Sequence, residues 1–311
     1  MMIENLILIT LLVLIPVSAI IWLARRSHRD KYALLVHSIF TTSLIIFLTL
    51  WGQYGLVASH YLRPILWLGL LLALVLSWRR PLTGIASRSA WSRVPVALVA
   101  LTVSAMCLLL SFQALRGHST DLQAIDLAFP LQGGKWYVGS GGSSLVINLH
   151  FRPQTPYQHY AIDVHQINRL GVANKKSLFG NNEDHMIFGE TLYSPCNGRV
   201  LTAVDGVPDN AAGEYYEGEQ GSGNHVLIQC QDVEISLVHM LAGSVLVREG
   251  EKVTVGTPLG QVGNSGFSTE PHLHLQALKT NSDGKVTSIP MHFNGRFLVR
   301  NDVIKNQAHN Q

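Results

Sequence analysis

Apolar residues dominate the first third of the chain. Four runs are almost entirely apolar, and they cover residues 5–24, 32–50, 61–78 and 94–112. Each run approaches the roughly 20 residues that a helix needs to cross the hydrocarbon core of a bilayer. Aromatic residues stand at the ends of the runs, as in the aromatic belts of membrane proteins: Trp51, Tyr54, Tyr61 and Trp78. The pattern predicts an N-terminal all-α transmembrane bundle of four helices.

Two of these runs need a closer look. The third begins near Arg63 and Pro64, and an arginine at a helix end can extend its head group to the membrane interface. The first resembles a signal peptide in hydrophobicity, but it has no basic leader, and Arg25 and Arg26 follow it where small cleavage-site residues would be expected. We interpret it as a membrane anchor.

Beyond residue 130, apolar and polar residues alternate in short runs divided by turn residues. These runs are LVINLHF, GRVLTAV, GNHVLIQC, VEISLVHM, EKVTVGTPLGQV and PHLHLQAL. Because residues 190–280 show no helical period, the pattern predicts an all-β, mainly antiparallel domain that folds onto itself. Two polar segments rich in Gly and Asn, residues 168–189 and 205–223, are expected to form long surface loops.

These patterns predict the domain boundaries. The membrane domain with its four transmembrane helices covers residues 1–112, and a linker follows over residues 113–130. The β domain then covers residues 131–300, and a C-terminal tail covers residues 301–311.

Charge divides the chain at the same place. Up to Leu110 the chain has nine Lys and Arg and two acidic residues, and the remainder has fourteen Lys and Arg and eighteen acidic residues. The formal net charge of +3 is therefore the sum of +7 in the first part and −4 in the second. The basic residues lie between apolar runs and form no stripe, which favours a lipid bilayer and excludes nucleic acid as the partner.

The basic residues also orient the chain. They concentrate in the connections after the first and third runs, as Arg25, Arg26, Arg29 and Lys31, and as Arg79, Arg80, Arg88 and Arg93. The connection between the second and third runs holds only Arg63. The positive-inside rule makes both basic connections cytoplasmic. A multi-pass protein of the cytoplasmic (inner) membrane is expected, with the β domain on the periplasmic or extracellular side.

The chain has three cysteines. Cys107 falls inside the fourth apolar run and is interpreted as a small apolar filler. Cys196 and Cys230 belong to the exported half, where oxidising conditions permit a bridge. Two cysteines do not define a disulfide framework, so the sequence leaves this pairing open.

The segment STEPHLHLQALK, residues 268–279, places His272 and His274 two positions apart in an alternating pattern. A strand directs both imidazoles to one face. Upstream, HYAID contains His159 and Asp163, and SLVHML contains His239. A catalytic zinc site takes three ligands of His, Asp or Glu type and keeps a fourth position for water. These five residues match that inventory, although HxH alone is also found as a hydrogen-bonded pair on a strand.

The order of these motifs resembles a known family. HxxxD is followed by a strand that ends in His-Met and then by VREGEKVTVGTPLGQVGNSGFSTEPHLHLQ, which resembles the lysostaphin-like (LytM-type) zinc metalloendopeptidases that cut peptide bridges of bacterial cell walls. The resemblance covers about residues 155–280. It implies that His159, Asp163 and His274 bind one zinc ion and that His239 and His272 are catalytic.

The chain departs from that family in places. Ala161 replaces the usual glycine of the HxGxD motif, and residues 168–189 and the segment after Asp205 are insertions expected to overhang the cleft. His150, which alternates in the LVINLHF run just before His159, is the most credible substitute ligand. Glu270 is a candidate for orienting a nearby imidazole. The other exported histidines are interpreted as structural or solvated: His118, His165, His185, His225, His292 and His309.

The resemblance and the expected topology together predict a peptidoglycan endopeptidase in which zinc-activated water is the nucleophile. The alternative is a non-catalytic envelope-binding or regulatory domain that docks on the wall or on a partner hydrolase. A third possibility makes the helical half a sensor or transporter, with His37 as its candidate for intramembrane chemistry.

Overall fold

The computed structural model describes residues 2–26, 30–82, 94–175, 180–214, 218 and 220–305. The chain divides into two compact units, one over Ile3–Leu115 and one over Arg116–Gln311. Arg29, Arg88, Arg93 and tail residues 306–311, all considered above, lie outside the described residues.

The described residues of the first unit form helices and their connections. The helices are α1 (Met2–Ile9), a π-helical turn (Thr10–Leu14), α2 (Ile15–Arg25), α3 (Lys31–Trp51), α4 (Tyr54–Val57), α5 (Leu62–Arg79) and α6 (Val94–Arg116). Four helical segments are long and apolar enough to cross a membrane: Leu6–Arg25, Lys31–Trp51, Leu62–Arg79 and Val94–Arg116. The four predicted transmembrane helices are confirmed as helices within a few residues.

Local sequence explains how two of these helices begin. Asp30 caps α3, because its carboxylate Oδ1 accepts a hydrogen bond of 2.8 Å from the N–H of Ala33. Pro16 lies at the start of α2, directly after the π-helical turn. Proline has no N–H with which to continue the α-helical bonding pattern, so a change of helix type beside it has a local cause.

The apolar core of the helical unit lies among α2, α3 and α5. Leu23, Ile45, Leu66 and Leu70 are buried there. The outer faces carry many exposed large apolar side chains. In water such a surface is unfavourable by about 25 cal/mol per Å² of apolar area, whereas lipid accommodates it. The helices are therefore compatible with membrane anchoring.

The second unit is built from short strands. They are β1 (Ile125–Leu127), β2 (Lys135–Ser140), β3 (Ile162–Gln166), β4 (Thr191–Tyr193), β5 (Gly198–Val204), β6 (Asn224–Cys230), β7 (Val233–Met240), β8 (Lys252–Val253), β9 (Pro258–Gln261), β10 (Leu273–Thr280), β11 (Val286–Ile289), β12 (Met291–Phe293), β13 (Arg296–Phe297) and β14 (Val303–Lys305). The predicted runs from 198 onward correspond to these strands. Strand β1 falls inside the segment expected to be a linker.

Nine strands form one sheet in the order β14-β2-β3-β10-β7-β6-β5-β8, with β11 also paired to β10. A three-stranded sheet, β1-β12-β13, and a two-stranded sheet, β4-β9, accompany it. Among the described strands every pair is antiparallel except β1 with β12. The prediction of a mainly antiparallel all-β domain is confirmed.

Cys196 and Cys230 form a disulfide, with their Cα atoms 6.0 Å apart and a sequence separation of 34 residues. Cys230 is buried at the end of β6, and Cys196 precedes β5, the neighbouring strand. The pairing that the sequence left open is present. Cys107 is a free, buried cysteine in α6.

The predicted strand LVINLHF is wrong, because residues 145–151 lie in turns and irregular backbone. Asn148, fully buried, donates its amide to the carbonyl oxygens of Gly142 at 2.8 Å, His159 at 3.0 Å and Ala161 at 3.2 Å. One side chain thus pairs backbone groups that a neighbouring strand would otherwise pair. Alternating apolar residues do not reveal such an arrangement.

Candidate metal and catalytic site

Three adjacent strands bring the candidate residues together. Asp163 on β3 lies directly opposite His274 on the central strand β10, and His274 lies opposite Val238 on β7. His239 is the next residue of β7, and His272 comes two residues before His274. The register of β3, β10 and β7 therefore gathers residues from distant parts of the chain at one place.

Asp163 is the centre of a network of imidazoles. Its Oδ1 lies 2.9 Å from His274 Nδ1 and 3.6 Å from His272 Nε2, and its Oδ2 lies 2.8 Å from His150 Nε2. Burial alone would raise the pKa of Asp163, but the charge and hydrogen bond of His150, the hydrogen bond of His274 and the charge of His272 hold that pKa well below its usual range. The carboxyl group is ionised.

His159 does not join this network. Its Nε2 donates to the carbonyl oxygen of Arg152 at 2.9 Å, and its ring stacks on Phe151 with centroids 4.6 Å apart. His150 lies at Asp163 instead, with its ring centroid 4.6 Å from that of His274. The structure therefore does not bring the expected ligand His159 to the site, and it places the substitute His150 there.

Asn148 explains this exchange. Its carboxamide oxygen accepts a hydrogen bond of 3.0 Å from the N–H of His150, while its amide holds the carbonyl of His159. The same side chain thus fixes the backbone of both histidines. The turn it stabilises brings His150, and not His159, to the carboxylate.

Two groups of residues among those described could hold a metal ion. They are His150 with Asp163 and His274, and His239 with His272 and His274, and the ligand atoms within each group lie within 4.8 Å of one another. Imidazole nitrogen and carboxylate oxygen are donors that zinc takes in proteins. The first group includes the ionised carboxylate, which helps to neutralise a divalent cation, so the donor set fits a metal.

His239 and His272 are each held by a backbone carbonyl. His239 Nδ1 lies 2.8 Å from the oxygen of Ser265, and His272 Nδ1 lies 2.8 Å from the oxygen of Glu270. A carbonyl oxygen only accepts hydrogen bonds, so each Nδ1 carries a proton, and the neutral form of either ring has its lone pair on Nε2. Burial lowers the pKa of His239 well below its usual value, so its ring is neutral. Both imidazoles are arranged to accept a proton.

The backbone at His239 is unusual. Its φ of 64° lies in the left-handed region, which residues other than glycine rarely adopt. Such conformations are found preferentially at functional sites, where surrounding contacts fix them. Here the N–H of His239 bonds the oxygen of Ser222 at 3.2 Å, and its oxygen accepts from Gly263 at 3.0 Å.

Two further histidines adjoin the site. The ring of His165 lies 5.7 Å from that of His272 at an interplanar angle of 26°. Burial lowers the pKa of His165 to about 3 and that of His185 to about 4. Both are neutral packing residues around neutral pH.

Sequence reasoning missed the polar residues that hold the imidazoles. Asn148, Ser265 and Ser268 lie in connections outside the named strands, where Asn and Ser are common for local reasons, so no pattern distinguished them. Glu270, expected to orient an imidazole, contacts His272 through its backbone carbonyl.

Residues 185–286 match peptidase family M23. The chain therefore carries an M23 (LytM-type) peptidase domain, as the motifs predicted. The matched range includes His239, His272 and His274, and it begins after His150 and Asp163.

Particular relatives can now be compared with the chain. The peptidoglycan DD-endopeptidase ShyA of Vibrio cholerae is 27% identical over 181 residues, which cover 53% of this chain and 37% of the relative. A zinc containing peptidase from Vibrio cholerae is 17% identical, with a TM-score of 0.32, over 57% of this chain and 39% of that one. Lysostaphin from Staphylococcus simulans is 18% identical, with a TM-score of 0.31, over 52% of each chain. The chain spans less than two thirds of each of these relatives.

Proposed function

We propose that this protein is a zinc-dependent endopeptidase that hydrolyses peptide cross-links of bacterial peptidoglycan outside the cytoplasmic membrane. The observation that carries the proposal is a cluster of four imidazoles around the ionised Asp163: three contact its carboxylate, and the fourth, that of His239, lies 5.8 Å from the ring of His274, in the segment that matches family M23. These imidazoles belong to His150, His239, His272 and His274.

His150, Asp163 and His274 are the proposed zinc ligands. A zinc ion held by these residues would lower the pKa of a bound water to about 7 and polarise a carbonyl group. One carboxylate and two neutral imidazoles leave a divalent site with a net positive charge. That charge favours the anion that develops when a peptide carbonyl is attacked.

His239 and His272 are the proposed catalytic residues. Their Nδ1 atoms are fixed by backbone carbonyls, so Nε2 of either ring can take a proton from the attacking water and return it to the leaving amine. General acid–base catalysis of this kind contributes typically about 10² to 10⁴ in rate. His239 is 6% exposed, so a substrate in the cleft would meet an imidazole that is largely shielded from competing water.

The proposed location follows from the helices and the charges. Four apolar helices could span a bilayer, and the basic connections support the proposal that the β unit lies on the periplasmic or extracellular side of the inner membrane. A domain in that position meets the wall polymer. The relative named a peptidoglycan DD-endopeptidase supports the same substrate class.

The non-catalytic alternative predicts a site that lacks a ligand or a catalytic group. His239, His272, His274 and Asp163 are all present and close together, and His150 provides the remaining donor. This complete set supports the enzyme over a docking domain.

A matched pair of variants tests the ligand assignment. His150→Ala removes a proposed ligand, whereas His159→Ala removes an imidazole nine residues away whose ring bonds the Arg152 carbonyl and stacks on Phe151. Zinc content and peptidoglycan digestion by the purified full chain in detergent are measured for both. We expect zinc and activity to fall in His150→Ala and to persist in His159→Ala. The reverse result would restore His159 as the ligand.

A second pair tests the division of roles. His272→Ala is expected to keep its zinc and to lose about 10² to 10⁴ in rate, the size of an acid–base contribution. His274→Ala belongs to both groups and is expected to lose both zinc and activity. If His272→Ala lost zinc while His150→Ala kept it, the metal would belong to the group of His239, His272 and His274.

A further inference from the structure

One turn holds both proposed catalytic imidazoles. The segment from Asn264 to Glu270, called here the imidazole turn, supplies the Ser265 oxygen to His239 Nδ1 and the Glu270 oxygen to His272 Nδ1, each at 2.8 Å. Any displacement of this turn therefore moves the partners of both rings together.

The inserted segment 205–223 fixes the imidazole turn through Asn210. The amide of Asn210 donates to the carbonyl oxygens of Gly266 at 2.7 Å and Ser268 at 2.8 Å. Its backbone N–H also donates to the oxygen of Asn264 at 3.1 Å. One residue of the insertion thus makes three hydrogen bonds to successive parts of the turn.

The other inserted segment, 168–189, reaches the same turn through Asn182. The amide of Asn182 donates to the oxygen of Asn210 at 2.7 Å, and its Oδ1 accepts from the amide of Asn264 at 3.1 Å. Asn264 is fully buried and also donates to the oxygen of Asn210 at 3.1 Å. The two insertions and the turn form one hydrogen-bonded network.

Ser268 connects that network to His272. Its hydroxyl donates to Asn264 Oδ1 at 2.6 Å, which leaves the oxygen free to accept, and His272 Nδ1 lies 3.3 Å away. The N–H of His272 is therefore shared between Ser268 and the Glu270 carbonyl. In this arrangement both oxygens act as acceptors and neither donates to the ring. Both therefore favour the His272 tautomer that carries its proton on Nδ1 and its lone pair on Nε2.

We propose that Asn182 and Asn210 are positioning residues, by which the two insertions hold the imidazole turn and so fix the orientation and tautomer of His239 and His272. The insertions then act on the catalytic rate, and not only on access to the cleft that they were expected to overhang. This inference rests on the proposed function, because it assigns a role to residues that serve the same site.

The test uses the full chain in detergent and four variants. Asn210→Ala removes two bonds to the turn, and Asn182→Ala removes both links of the second insertion. Asn182→Asp keeps the acceptor for Asn264 and loses the donor to Asn210, so it separates the two links. Asn197→Ala is the matched control, because its Oδ1 accepts a comparable bond of 2.9 Å from Val255 N, away from the turn.

Three kinds of measurement are made: the kinetics on a cross-linked wall peptide (kcat and KM), the zinc content, and the histidine tautomers by nitrogen-15 NMR of selectively labelled protein. Loss of a residue that orients the site's side chains by hydrogen bonds, without binding the metal itself, typically costs about 10- to 100-fold in activity. We expect Asn210→Ala to lower kcat by about 10- to 100-fold, with KM and zinc content unchanged. Asn182→Ala should have a smaller effect, and Asn182→Asp the smallest of the three. In these three variants the NMR signals of His272 should show a mixture of tautomers. The control Asn197→Ala should match the wild type.

Two results would overturn the proposal. Wild-type kcat and tautomers in both Asn182→Ala and Asn210→Ala would show that the turn holds itself, and a rise in KM alone would show that the insertions contact substrate. If the wild type cut no wall peptide, the proposed function would fail. The NMR comparison would still decide whether the asparagines fix the imidazoles.

Discussion

Buried polar side chains are paired over short sequence distances in the helical unit and over long ones in the β unit. In the helices, the hydroxyls of Thr49, Ser104 and Ser111 each bond a carbonyl four residues earlier at 2.7 Å. In the β unit, the amide of Asn264 bonds Asn182, which is 82 residues away, at 3.1 Å. One hydrogen bond within the helical unit spans a longer sequence distance: Arg63 donates to the Thr49 carbonyl at 2.9 Å.

This difference has a physical cause. A bilayer supplies no water to a polar group, so each spanning helix does best when it satisfies its hydroxyls within its own turns. A small β domain has no such restriction and uses Asn and Ser to join segments that the sheet register brings together. A single substitution should therefore disturb one turn in the helices and several segments in the β unit.

The largest expected effect comes from Asn148→Ala. Its amide serves the buried carbonyls of Gly142 and Ala161 and the partly buried carbonyl of His159, and unsatisfied buried groups cost about 1 to 3 kcal/mol each, so the β unit should lose several kcal/mol. Zinc affinity should fall as well, because the N–H of His150 loses its partner. Amide exchange in β3 and β10, with zinc content, measures both effects.

The matched control in the helical unit is Ser104→Ala. It removes one hydroxyl bonded within its own helix, so the cost should be no more than about 1 kcal/mol. Amide hydrogen exchange is measured for each variant in the unit that carries the substitution. Equal losses of protection against exchange in the two variants would contradict the contrast between local and long-range pairing.

The disulfide is a second long-range link in the β unit. Replacing Cys196 and Cys230 by serine should cost about 3 to 4 kcal/mol by the loop-entropy estimate, because the bond joins residues 34 apart. Chemical unfolding with and without a reductant measures this cost. Two free thiols in the purified protein, detected by mass analysis, would show that the bond contributes nothing.

A smaller effect concerns pH. Burial lowers the pKa of His165 from 6.5 to about 3, so between these values the unfolded chain binds a proton that the folded chain does not. The β unit therefore has its full stability above the pKa of the unfolded chain, about 6.5. Its free energy of unfolding falls as pH decreases from about 6.5 towards 3, and the loss is about 2 kcal/mol at pH 5. His165→Leu should flatten this part of the stability curve. An unchanged slope in the variant would assign the acid sensitivity to other groups.

The same contrast explains which features the sequence could predict. The four helices and most strands follow from local periodicity, and the HxH pattern placed His272 and His274 on one side of β10. The choice of His150 over His159 depends on Asn148, whose bonds reach residues 142, 159 and 161. The imidazole turn depends on asparagines from two insertions. Neither arrangement leaves a periodic or spacing signal, because each is defined only when distant segments meet.

The most direct test of the proposed activity combines metal analysis with digestion of purified peptidoglycan by the full-length protein. We predict one zinc ion per chain and release of fragments with a newly freed amine at the cross-linking peptide. A chelator should abolish this release and added zinc should restore it, while His274→Ala should neither hold zinc nor cut. Intact cross-links in the presence of the zinc-loaded protein, or undiminished cutting by His274→Ala, would contradict the account.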